Sequence, residues 1–275
     1  MATSNAAQPM EAAEAHRESL LLEASLAASC LGGGLTAIRQ YSFADKGRFF
    51  AGMFGVTIGL ERILKLCIVL EHLLRTGSPP TEKQLKDLGH SLSALLRAVR
   101  KVNAECALGV DEAPITESLS ERIVDLLTAF AKQARYFNLN VVTGAPTTPS
   151  SEPLAAWARD IGEELVRRHY RPSAKGRAEL ATAASLNGVP GVVVGHVGDD
   201  GTSIQEFGDF ALQSAVAETK QKYSVFYIHR IALFGIGVLD RLDHQLNLYL
   251  REHFRWLDVT DRAAILRRKR WDRTE

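Results

Sequence analysis

The chain has 275 residues, with 33 Lys and Arg against 32 Asp and Glu, a formal charge of +1, 24% charged residues and 46% hydrophobic ones. That composition excludes a chain that is mostly disordered, and the charge balance excludes a global pull toward nucleic acid or anionic membrane, so any such affinity has to come from a local patch. The length allows one large domain or two small ones around a substantial core.

The N-terminal stretch MATSNAAQPMEAAEAHRESL has no basic n-region and places glutamates where a signal peptide carries its apolar run, so a cytoplasmic protein is expected. Three cysteines, Cys30, Cys67 and Cys106, contain no C-x-x-C pair and are expected to be reduced, buried helix residues. Leucines and alanines at helical spacing fill 11–40, and the GGG at 32–34 is expected to end or loosen that helix. After Asp45 an apolar segment runs to Leu74. Its most lipid-like part, FFAGMFGVTIGL, stops at Glu61 and Arg62; a span needs roughly 20 apolar residues, so a buried helix and no membrane contact are expected.

RTGSPPTEKQ closes that helix at Gly77, forbids its continuation at Pro79 and Pro80, and opens the next with Thr81 and Gln84 in capping-box spacing. The following helix is expected over 82–104, with Leu85, Leu88, Leu92, Leu95, Leu96 and Val99 as its stripe. Ser118 and Glu121 introduce another. TGAPTTPSSEP marks a soft boundary between regions 1–145 and 151–275. Beyond it come a helix over 153–170, a segment 188–207 that reads as a small hairpin or an ordered loop, one or two long helices up to about 254, and a short basic helix in TDRAAILRRKRW. The expected fold class is mainly α: a multi-helix bundle with additional C-terminal helices and at most one small β-hairpin, its two regions packed as one compact unit.

Glu61 and Lys65 stand four apart in GLERILKLCIVLEHLL, His72 lies further along, and His90 interrupts the next stripe in LKDLGHSLSALL. The pattern reads as a helical ion pair with an interfacial histidine, or as a polar cluster that meets a phosphate. The lysine-bearing apolar helix, the short polar loop and the histidine-bearing helix resemble the hairpin of the HEPN superfamily, named for nucleotide binding in higher eukaryotes and prokaryotes. The resemblance covers about 44–142, and RYFNLN after the fourth helix is similar to uncharacterised bacterial members. It implies a HEPN-like bundle, a place in a bacterial defence or stress system, and RNA, a nucleotide or a partner protein as the thing recognised.

In the family's ribonucleases an arginine is followed, four to six residues on, by a histidine, a pair that engages a scissile phosphate. Arg135 is in the matching region, but Asn140, Val141 and Val142 stand where the histidine belongs. Catalysis is therefore not expected. Arg135, Tyr136, Asn138, Lys65 and His90 remain as candidate binding residues, with Tyr136 and Phe137 expected to cover the core edge and Asn138 and Asn140 to satisfy helix-end groups. The alternative is a degenerate ribonuclease in which the fold brings His90 to Arg135.

Elsewhere, Asp240, Asp243 and His244 share a helical face at a spacing known from metal sites, but a polar face is the expectation, with no metal and no cofactor. His229 among apolar neighbours reads as a satisfied core histidine. Arg267, Arg268, Lys269 and Arg270 form the densest basic run, and Trp271 beside them is a candidate stacking surface for RNA. The wide apolar faces of 49–74 and 224–250 suggest a homodimer. The function expected from these residues is a non-catalytic binding or assembly module.

Overall fold

The structure, a computed structural model, describes residues 4–42, 45–132, 137–146, 152–189, 191 and 194–272. α1 (Ser4–Ala15) leads into α2 (Arg17–Gln40), and α3 (Lys46–Thr76) runs back along it. Glycines set how closely α2 and α3 approach. A Cβ at Gly34 would lie 2.4 Å from the Val56 nitrogen, one at Gly55 2.7 Å from the Cys30 carbonyl oxygen, and one at Gly59 2.7 Å from Leu31. The GGG therefore does not interrupt α2, contrary to expectation. Its helical hydrogen bonds tolerate glycine when packing against a second helix offsets the roughly 1 kcal/mol each costs in propensity.

Gly77 ends α3 in the left-handed conformation, its N–H bonded to the Leu73 carbonyl, and the Thr81–Gln84 capping box opens α4 (Glu82–Asp87). The expected single helix over 82–104 is two. A turn with Gly89 at φ 61° separates α4 from α5 (Leu92–Glu105), which Ser91 caps. Leu85 and Leu88 are only half-buried, whereas Leu92, Leu95, Leu96 and Val99 enter the core. α6 (Ala113–Thr116) and α7 (Ser118–Lys132) follow, and α7 packs on both α3 and α5. Cys67 alone of the three thiols is fully buried; Cys30 is half-buried, and Cys106 caps the end of α5 in an exposed position.

Residues 137–142 form a short helix, α8 (Phe137–Val142). After α9 (Pro153–Trp157) a π turn, Ala158–Gly162, re-aims the chain into α10 (Glu163–His169). α11 (Ala174–Ala184), capped by Ser173, was not expected; it is mostly exposed and carries no apolar stripe to announce it. The hairpin is present: β1 (His196–Val197) pairs antiparallel with β2 (Ser203–Ile204). Its turn inserts buried Asp199 beside Tyr41 Oη at 3.3 Å and Lys220 Nζ at 3.7 Å. Burial, then the adjacent Asp199 charge, raises the Tyr41 phenol well above its ordinary range.

α12 (Phe207–Leu246) is one helix of 40 residues lying against α2 and α3. A 3-10 helix, Leu250–Leu257, and α13 (Arg262–Arg267) then return over the bundle. One continuous set of buried residues runs from Ala13 to Trp271, drawing on both halves of the chain. The apolar faces of α3 and α12 are thus covered within the chain, which removes the reason they gave for a second subunit. By length and composition α2 is apolar enough to cross a membrane, with a mean hydropathy of 1.5, but 44% of that window is already buried in the protein. A core helix passes the same test.

Candidate functional site

The residues singled out by the sequence fall in separate places. Glu61, Lys65 and His90 do come together: Glu61 Oε1 accepts from Lys65 Nζ at 2.8 Å and pairs with His90 Nδ1 at 2.9 Å. His90 is largely exposed on the turn between α4 and α5. His72 is not part of this group; it meets the Arg75 guanidinium at 3.2 Å, and eleven residues of helix put it about 16 Å along α3 from Glu61. Arg135 and Tyr136 lie outside the described residues. Asn138 is exposed on α8, where it is a helix residue and not the helix-end ligand expected of it.

The basic C-terminal run is arranged differently from an RNA surface. Trp271 is fully buried, its backbone N–H donating to Thr36 Oγ1 at 2.7 Å. One side of the indole meets His229, with ring centres 4.6 Å apart, and the Arg268 guanidinium lies 4.6 Å from its centroid. No base can stack on that ring, so its expected role is corrected: Trp271 is the plug that fastens the C-terminal strap to α2 and α12. Arg268 donates to the backbone carbonyls of Trp256 and Arg270, and Arg270 pairs with Asp272 at 3.1 Å. Arg267 and Lys269 remain exposed. His229 is the core histidine expected. Its Nε2 donates to the Leu257 carbonyl at 2.7 Å, and burial lowers its pKa to about 4.

The largest polar cavity among the described residues lies where α12 gives way to the 3-10 helix, a cleft of about 530 Å³. Its geometry starts from the chain reversal in HQLNLYLRE. Leu246, Leu248 and Leu250 must all reach the core, and each is at most 3% exposed. Alternate burial over so short a stretch cannot continue as α-helix. The chain turns by placing Asn247 at φ 55° and Tyr249 at φ 63°, both left-handed. An aromatic residue rarely adopts that conformation, which costs of order 1 kcal/mol and persists only when its surroundings impose it.

Asp243 supplies part of that imposition. Only 4% exposed, it accepts the Arg251 N–H at 3.2 Å through Oδ2, while Oδ1 has no hydrogen-bond partner. Burial raises its pKa, and the neighbouring Asp240 charge adds to the rise. Arg251 spans the cleft, binding Asp240 at 3.1 Å and Asp258 at 2.5 Å. Arg255 pairs with Glu252 at 2.6 Å. His244 and Tyr249 stand exposed at the margin. Among the described residues His244 has no hydrogen-bond partner to orient it, and no group of three or more His, Cys, Asp or Glu is close enough to hold a metal ion.

The sequence pointed to Asp240, Asp243 and His244 as a polar helical face. It missed Asn247, Tyr249, Arg251, Glu252, Arg255 and Asp258, which complete the cleft. The signal available was the triple leucine alternation in LNLYL directly after a helix-ending asparagine. Bundle and cleft together define a mainly α, multi-helix protein with one small hairpin and a charged site at the end of its longest helix. Comparisons with protein-family models, with curated proteins and with solved structures find no match to the chain.

Proposed function

We propose that the protein is a non-catalytic binding module whose ligand occupies the cleft at the end of α12. The observation that carries this reading is the cleft itself: about 530 Å³, within the range of roughly 300–1,000 Å³ typical of small-molecule sites. It is walled by paired charges and built on a strained turn. Binding is favoured over catalysis because a proton-transfer group works when a second group orients it, and the imidazole here, His244, lacks one. The packing of α3, α5 and α7 on one another supports a HEPN-like scaffold for the module. Two-dimensional amide spectra of the full chain, titrated with amines, amino acids and nucleotides, test the proposal: saturable shifts confined to 240–258 are expected. A panel that leaves those amides unmoved refutes it.

A second reading has one observation in its favour. Glu61 holds His90 Nδ1 and leaves Nε2 toward solvent, the arrangement a general base requires. In this degenerate ribonuclease, His90 would act with Arg135. Its test is cleavage of labelled RNA by the wild type and by His90→Gln; equal background in both ends it.

A further inference from the structure

We infer that the cleft at the end of α12 is a site for a small aliphatic ammonium compound, of the diamine or polyamine class; this rests on the binding-module reading above. Its lining holds four carboxylates against two guanidiniums, a formal charge of −2 with His244 neutral. Both guanidiniums are already engaged. Arg251 gives one Nη to Asp240 and the other to Asp258, and Arg255 is bound to Glu252. The surplus in the cleft is therefore acceptor capacity, and an anionic ligand would find no free cation to meet it.

The second, independent observation is Asp243. It lines the cleft at 4% exposure with Oδ1 unpartnered. A buried carboxylate oxygen without a donor is costly, and an ammonium group brings three N–H donors together with the compensating charge. It would also relieve the mutual repulsion of Asp243 and Asp240, which stand one helical turn apart. Tyr249, 55% exposed at the margin, offers a ring face to a cation or to the methylenes of its chain. Glu252 and Asp258, both partly exposed, lie further along the same wall, where a second ammonium would sit. The absence of a three-ligand cluster among the described residues makes an organic cation a better fit than a coordinated metal ion.

The test is calorimetric titration of the full chain with putrescine and spermidine, alongside magnesium, glutamate and ATP, at a fixed moderate salt concentration. The amines should bind saturably, and Asp243→Asn should weaken them about tenfold or more, the loss of one charge-assisted hydrogen bond. Because Asp243 also holds the turn, Asp240→Asn is measured in parallel, with circular dichroism confirming the fold; it too should weaken binding. Amine binding that is unchanged in both variants overturns the assignment. Binding of glutamate or ATP at 240–258 without the amines overturns the ligand class and leaves the binding-module reading standing. No binding at 240–258 by any compound removes both.

Discussion

Gly33 and Gly34 are neighbours in one helix, and alanine should have opposite effects at the two. A Cβ at Gly33 would meet nothing within 4 Å, so Gly33→Ala adds only helix propensity and should stabilise by roughly 0.5–1 kcal/mol. At Gly34 the same atom would lie 2.4 Å from the Val56 nitrogen, 2.8 Å from the Gly55 carbonyl carbon and 2.9 Å from the Gly52 oxygen. All three belong to the α3 backbone and cannot swing aside. The helices must part, and overpacking of this kind costs about 1–3 kcal/mol, partly offset by the same propensity gain. The two variants should therefore differ by roughly 2 kcal/mol or more. Urea unfolding followed by circular dichroism measures this, and thermal midpoints should separate by about 4 °C or more, at roughly 2 °C per kcal/mol for a chain of this size. If Gly34→Ala is as stable as Gly33→Ala, glycine does not set the α2–α3 spacing.

His229 makes stability depend on pH. Its folded pKa, about 4, lies below the ordinary 6.5, so the unfolded chain binds the proton more readily and the stabilisation present above pH 6.5 is lost as pH falls toward 4. The loss should be about 3 kcal/mol by linkage; His229→Phe should flatten that part of the stability–pH curve, and an unchanged curve refutes the assignment. Trp271→Ala should cost about 3–5 kcal/mol, the usual range for truncating a fully buried aromatic, whereas Arg267→Ala with Lys269→Ala should change stability by no more than about 0.5 kcal/mol. Equal denaturation midpoints for the two C-terminal variants would show that the strap is not held by its indole.

Where side-chain chemistry acts on its own neighbours, the sequence was a sufficient guide. Thr81 and Gln84 cap α4, and Gly77 ends α3, because the groups they satisfy lie within a few residues along the chain. Apolar periodicity located α5 and α7 for the same reason. The mainly α class and the small hairpin were both legible. Local rules failed where a distant partner decides the outcome: α2 runs through its glycines because α3 lies against them, and Trp271 turns inward because Thr36 and His229 receive it. Residues 133–136, which hold the arginine that suggested a ribonuclease-like corner, lie outside the described residues.

The helical class, the main breaks and the balance of charge follow from sequence alone, because each depends on residues close together in the chain or on composition. The cleft was decided only by the tertiary structure. Asp240 and Asp258 meet through Arg251 because three leucines beyond α12 must all be buried, and that requirement bends the chain back on itself.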